Sequence, residues 1–217
     1  MLQRNTTIAG NDRRNRLKFF LRSPQKFCAG LEGSLPAMVP EFKISPWHIG
    51  YHHEDAIRGI RRMSVGRVLC EGELGIVIGR RSRDLTPETA AAHIFGYTCL
   101  NDVTSLDILR ADPSFLQWTR SKGLDGVSPF GPVIATDLDP AEASVVVRVT
   151  GRERQNYPLA DMIHDPRAIV AMISQGLTLE PGDIIACGTA NGAGTIPKGA
   201  TVEVEIAGIG VLVNRFE

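Results

Sequence analysis

The chain has 217 residues, 43% of them hydrophobic and 22% charged, and its 24 Lys/Arg balance 24 Asp/Glu. That length can bury a substantial core, the composition argues against a disordered chain, and zero net charge gives no support to general nucleic-acid or membrane-surface binding. No stretch approaches the roughly 20 apolar residues that span a bilayer, the start lacks the apolar core of a signal peptide, and four scattered cysteines without a C-x-x-C pair suit a reducing compartment, so cytoplasm is the expected location.

Charge divides the chain. Residues 1–67 hold 12 Lys/Arg against 5 Asp/Glu, and residues 68–217 hold 12 against 19. The front segment, 1–67, reads as a basic lid or set of connecting loops, and 68–217 as the main domain. Within the front segment, Phe19-Phe20-Leu21 is a short apolar run closed by Ser23-Pro24, which predicts a strand entering a turn. Residues 30–67 carry Pro36, Pro40, Pro46 and the cluster WHIGYHHED, and show no periodicity.

The pattern sharpens at CEGELGIVIG, residues 70–79. Side chains alternate along a strand, so Glu71 and Glu73 share a side while Leu74, Ile76 and Ile78 line the other. The apolar run predicts burial on both faces, and two buried carboxylates need a cation or a shared proton. Thr86-Pro87-Glu88 then predicts a helix start, with the helix running through TAAAHIFGY to Gly96. YTCLNDV, residues 97–103, predicts a second buried strand, and Phe115–Trp118 a short helix before the irregular KGLDGVSPFGP. SVVVRVTGRERQNY predicts a hairpin turning at Gly151, residues 166–176 a helix, and PGDIIACGT with TVEVEIAGIGVLVNRF a run of short strands. Many short strands and few helices make the expected fold class a β-dominated α+β fold.

Glu71, Glu73 and Asp102 all lie at or beside the ends of apolar strands. Three oxygen donors without Cys/His spacing favour a hard cation, Mg²⁺, Mn²⁺ or Ca²⁺, over zinc. Exposed ion pairs of the glutamates with Arg80 and Arg81, with Asp102 capping a turn, account for the spacing equally well.

The blocks EGELGIVIGRRSRDLT, GYTCLNDV, KGLDGVSPFGPVIAT, TLEPGDIIACGT and VEVEIAGIGVLVN, in that order, resemble the catalytic domain of the fumarylacetoacetate hydrolase family over roughly residues 68–215. FFLRSP at 19–24 is similar to a further family segment, with Arg22 at its basic position. The resemblance implies a mixed β-sandwich or roll, a homodimer, and Mg²⁺ or Mn²⁺ held by Glu71, Glu73 and Asp102. It implies Lys122 as a catalytic contact to the metal-bound substrate, and Arg22 and Thr189 as substrate-binding residues. The implied chemistry is C–C hydrolysis, decarboxylation or keto–enol isomerisation of a small 2-oxo or β-dicarbonyl acid in catabolism. The alternative is an inactive relative that binds metal and keto acid.

Two departures from the family pattern stand out. NDVTSLDIL puts Leu106 and Leu109 where an arginine and a glutamine are usual, which implies a more apolar pocket wall; Asp107 reads as structural. The front is too short for the usual lid with its His…Glu dyad, so His52 with Asp55, i,i+3 neighbours on a helix, are the candidate acid–base pair; a polar surface turn is the competing account. CGTANGAG lacks the spacing of a phosphate loop and reads as a tight turn presenting Thr189. His93 reads as a packing residue and His164 as part of a turn, while Gln155 and Tyr157 suit either the site mouth or a sheet edge. Trp47 and Trp118 form no stacking pattern for nucleic acid.

Overall fold

The computed structural model describes residues 19–21 (backbone only), 66–124 and 127–216. In chain order the first half carries β1 (Phe19–Leu21), β2 (Val68–Cys70), β3 (Gly72–Ile78), α1 (Pro87–Ala90), β4 (Ile94–Asn101), β5 (Thr104–Ser105), α2 (Leu106–Leu109) and α3 (Trp118–Lys122). The second half carries β6 (Phe130–Ala135), β7 (Ser144–Val149), β8 (Arg152–Pro158), α4 (Pro166–Ser174), β9 (Ile184–Ala186), β10 (Gly194–Thr195), β11 (Thr201–Ile206) and β12 (Gly210–Arg215).

These strands form three sheets with antiparallel pairing throughout: β1-β9-β3-β4-β6, β10-β2-β5 and β12-β11-β7-β8. The expected β-dominated α+β class holds. Every residue of β3 is buried, the apolar run 74–78 and the acidic Glu73 alike, and the strand pairs with β4 on one side and β9 on the other. The strict alternation of β7 and β11 buries Val145, Val147, Val202, Val204 and Ile206. These pack with Leu74, Cys99 and Leu212 into one core cluster between the two larger sheets. Side chains of this kind contribute about 1.5–3 kcal/mol each when fully buried. A second cluster joins Ile76, Ile78 and Ile185 to Ile169 and Val170 of α4.

The expected hairpin is present. Thr150 and Gly151 both have positive φ, 51° and 74°, the pattern of a two-residue turn matched to strand twist. Two helices differ from expectation. The first stops after Ala90, passes through a 3₁₀ turn at Ala91–His93, and gives way to β4 at Ile94. Pairing of Ile94–Asn101 along β3 outweighs the alanine-rich helical propensity there. The second, expected over Phe115–Trp118, instead begins at Trp118. Asp112 holds the backbone and hydroxyl of Ser114 in a local turn, and Phe115 is 68% exposed, so the preceding residues have no face to bury. Among the described residues no helix is long and apolar enough to cross a membrane.

Candidate metal centre

The site starts from strand register. Gly72 pairs with Asn101 and Glu73 with Leu100 across β3 and β4, and one further step sets Glu71 opposite Asp102. The Asp102 N–H donates to the Glu71 carbonyl at 2.8 Å, closing that step. Glu71 lies in the break between β2 and β3, so the two flanking strands fix it from both ends. One carboxylate oxygen from each of Glu71, Glu73 and Asp102 lies within 4.8 Å of the others. All three residues are buried, with exposures of 5%, 0% and 2%. The account in which the glutamates form exposed ion pairs with Arg80 and Arg81 therefore fails; Arg81 pairs with Glu180 at 3.3 Å.

The buried cation of the cluster is Lys122, 3% exposed and at the end of α3 rather than in the glycine-rich loop that follows. Its Nζ donates to Glu71 Oε2 at 2.7 Å and to Asp102 Oδ2. Burial pushes this ammonium down, but the Asp102 and Glu71 carboxylates prevail and hold it above the usual lysine range. Thr104 donates to Glu71 Oε2 at 3.3 Å, and the Trp118 ring centroid lies 6.0 Å from the ammonium. In sequence the one sign of this contact is the W-x-x-x-K spacing, which sets Trp118 and Lys122 one helical turn apart.

Glu73 is the exposed-charge problem of the cluster in reverse. Its Oε2 accepts the Gly188 N–H at 2.6 Å, yet its Oε1 is buried with no hydrogen-bond partner. Burial first, then the neighbouring Asp102 and Glu71 charges, push its carboxyl well above the ordinary range. With all three acids ionised, three carboxylates against one ammonium would leave two negative charges in excess, and burial together with that excess holds the Glu73 proton in place. Three hard oxygen donors, an orphaned carboxylate oxygen and that excess fit one divalent cation, which would favour the ionised form of all three acids.

Between the two glutamates, the Gly72 peptide is held on both sides. Its N–H donates to Gln155 Oε1 at 3.1 Å, and its carbonyl accepts the hydroxyls of Thr189 and Tyr157, each at 2.8 Å. Gln155 Nε2 donates to Thr189 Oγ1 at 2.7 Å and to the Ala190 carbonyl at 2.9 Å. Gln155, on the sheet-edge strand β8, is thus buried against the site rather than at an open mouth. Nothing in RERQNY marks in sequence which polar side chain turns inward; the structure buries Gln155 between the exposed Arg154 and Asn156. Gly72 itself admits no side chain: a Cβ there would sit 2.2 Å from Val147 Cγ2.

The structure places some of the remaining candidates and not others. Leu109 is buried on α2 and Leu106 half-buried, while Asp107 is exposed and accepts the Arg67 backbone N–H at 3.0 Å and its guanidinium. His93 bonds Ser82 Oγ at 2.8 Å through Nδ1. Arg22, His52 and Asp55 lie outside the described residues.

The chain matches known proteins along most of its length. The family model described as fumarylacetoacetate (FAA) hydrolase C-terminal matches residues 36–217. Oxaloacetate tautomerase YisK of Bacillus subtilis is 34% identical over 197 residues, covering 86% of this chain and 64% of that one. The fumarylacetoacetate hydrolase structure from Exiguobacterium antarcticum superposes with a TM-score of 0.66 at 41% identity, over 74% of this chain and 59% of that one. Fumarylpyruvate hydrolase from Pseudomonas aeruginosa, in complex with Mn²⁺ and pyruvate, gives a TM-score of 0.66 at 29% identity, over 70% and 67%. The chain therefore spans about three-fifths to two-thirds of the length of these relatives.

Proposed function

Because the chain belongs to the fumarylacetoacetate (FAA) hydrolase C-terminal family, we propose that it is a divalent-metal-dependent enzyme acting on a small 2-oxo or β-dicarbonyl acid. The observation that carries this reading is the buried cluster of Glu71, Glu73 and Asp102, whose three carboxyls outnumber the one ammonium of Lys122. These three acids would hold Mg²⁺ or Mn²⁺. The chemistry such an ion supplies when bound is polarisation of a ketone and compensation of the charge on the derived enolate. Lys122, buried against Glu71 and Asp102, would add a fixed positive charge to that compensation, and its exclusion from water makes the charge count. Thr189, next to the Gly188 N–H that anchors Glu73, would meet the substrate carboxylate. Arg22 would bind the same anion, and His52 oriented by Asp55 would move the proton.

C–C hydrolysis, decarboxylation and keto–enol isomerisation all pass through such an enolate, so one panel separates them. Oxaloacetate and acylpyruvates, assayed with Mn²⁺ for loss of enol absorbance, CO₂ release and acid products, should give turnover with at least one member. Mn²⁺ and pyruvate binding without turnover would instead select a binding protein. For the proton-transfer role, His52→Ala should lower turnover by about 10²–10⁴-fold with Mn²⁺ affinity retained, and unchanged turnover would reject it.

A further inference from the structure

The Gly72 carbonyl accepts two hydroxyls, and the two are not equivalent. Thr189 Oγ1 is fixed by the N–H of Gln155 at 2.7 Å, and its own proton goes to Gly72 O at 2.8 Å. Gln155 is 2% exposed and engages both its Oε1 and its Nε2 here, so the Thr189 oxygen cannot drift. A carbonyl has two lone pairs, and Tyr157 fills the second at 2.8 Å. Were Thr189 to withdraw its proton, Gly72 O would keep one partner.

We infer that Tyr157 is a positioning residue: by holding the Gly72 carbonyl, it lets the Thr189 hydroxyl turn its proton toward a ligand carboxylate without orphaning a buried acceptor. The inference deepens the keto-acid reading above and rests on it. The turn is a rotation about one C–O bond, so the Thr189 oxygen stays where Gln155 holds it. Burial first, then the nearby Glu73 charge, keep the Tyr157 phenol protonated and able to donate. Thr189 is half-buried and lies one residue beyond the backbone N–H that binds Glu73, which keeps its hydroxyl close to the acidic cluster.

The test separates ion binding from anion binding. Mn²⁺ alone, and pyruvate at saturating Mn²⁺, are titrated calorimetrically into the full-length chain and its variants. Tyr157→Phe should bind Mn²⁺ within about twofold of wild type but pyruvate roughly 5- to 100-fold more weakly, since pyruvate must then orphan the Gly72 carbonyl. In a Thr189→Ala background the same substitution should leave pyruvate affinity unchanged. An undiminished pyruvate affinity in Tyr157→Phe, or an equal loss in both backgrounds, overturns the inference. Should Tyr157→Phe fail to fold, Thr189→Ser decides: with its hydroxyl kept it should match wild type in pyruvate affinity within about threefold, and a loss as large as that of Thr189→Ala refutes proton donation. Wild-type protein that binds neither Mn²⁺ nor pyruvate fails earlier and removes the keto-acid reading itself.

Discussion

At the level of single residues, the centre is a problem of charge removed from water. Glu71→Gln combined with Glu73→Gln should weaken Mn²⁺ binding by more than about 100-fold, measured by calorimetry; equal binding would reject these ligands. Lys122→Met leaves Glu71 and Asp102 without their ammonium, and in EDTA it should cost about 3–5 kcal/mol of stability in urea unfolding. Saturating Mn²⁺ should recover much of that loss. Cys99 behaves differently. Burial pushes its thiol up to about 12 from 9.0, so the unfolded chain ionises first. Its contribution is complete below pH 9 and falls by about 1.4 kcal/mol per unit as pH rises toward 12. Unfolding curves at pH 8, 10 and 11 measure this, and Cys99→Ala should flatten the decline. The two glutamates announced themselves in sequence because charge inside an apolar strand is anomalous. Lys122 did not, because a lysine beside glycine has a common surface explanation. Its burial depends on contacts with Glu71 and Asp102, 51 and 20 residues away.

Whole elements are legible in the sequence where their period is strict and obscure where local propensity opposes long-range pairing. The alternation in β7 and β11 fixed both their type and their inward faces. The stretch TAAAHIF misled because alanine favours a helix locally, while Ile94 onward is claimed by β3, whose register no local rule contains. The Gly72 contact is likewise invisible until β3 and β7 are set against each other. Gly72→Ala should therefore destabilise the protein strongly, and Val147→Ala in the same chain should restore part of the loss, read by thermal unfolding. Conversely, Thr150 is a β-branched residue at φ 51°, and Thr150→Asn should raise stability by about 1 kcal/mol in denaturant titration.

On the scale of the molecule, distant parts of the chain converge on one small volume. Strand β1, drawn from the basic front segment, covers the outer edge of β9, pairing Phe19 with Ala186 and Leu21 with Ile184. Deleting residues 1–21 should leave β9 as an open edge and promote self-association, visible by light scattering; an unchanged monodisperse profile would count against that pairing. The clasp between Gly188 and Glu73 joins positions 115 apart, and Cys70 meets the Gly194 carbonyl across 124. A nascent polypeptide emerging from the ribosome consequently exposes its acidic trio long before the clasp that steadies it has been synthesised. Any ion taken up by the trio would thus be acquired late in biogenesis, once the segment bearing Gly188 has joined it.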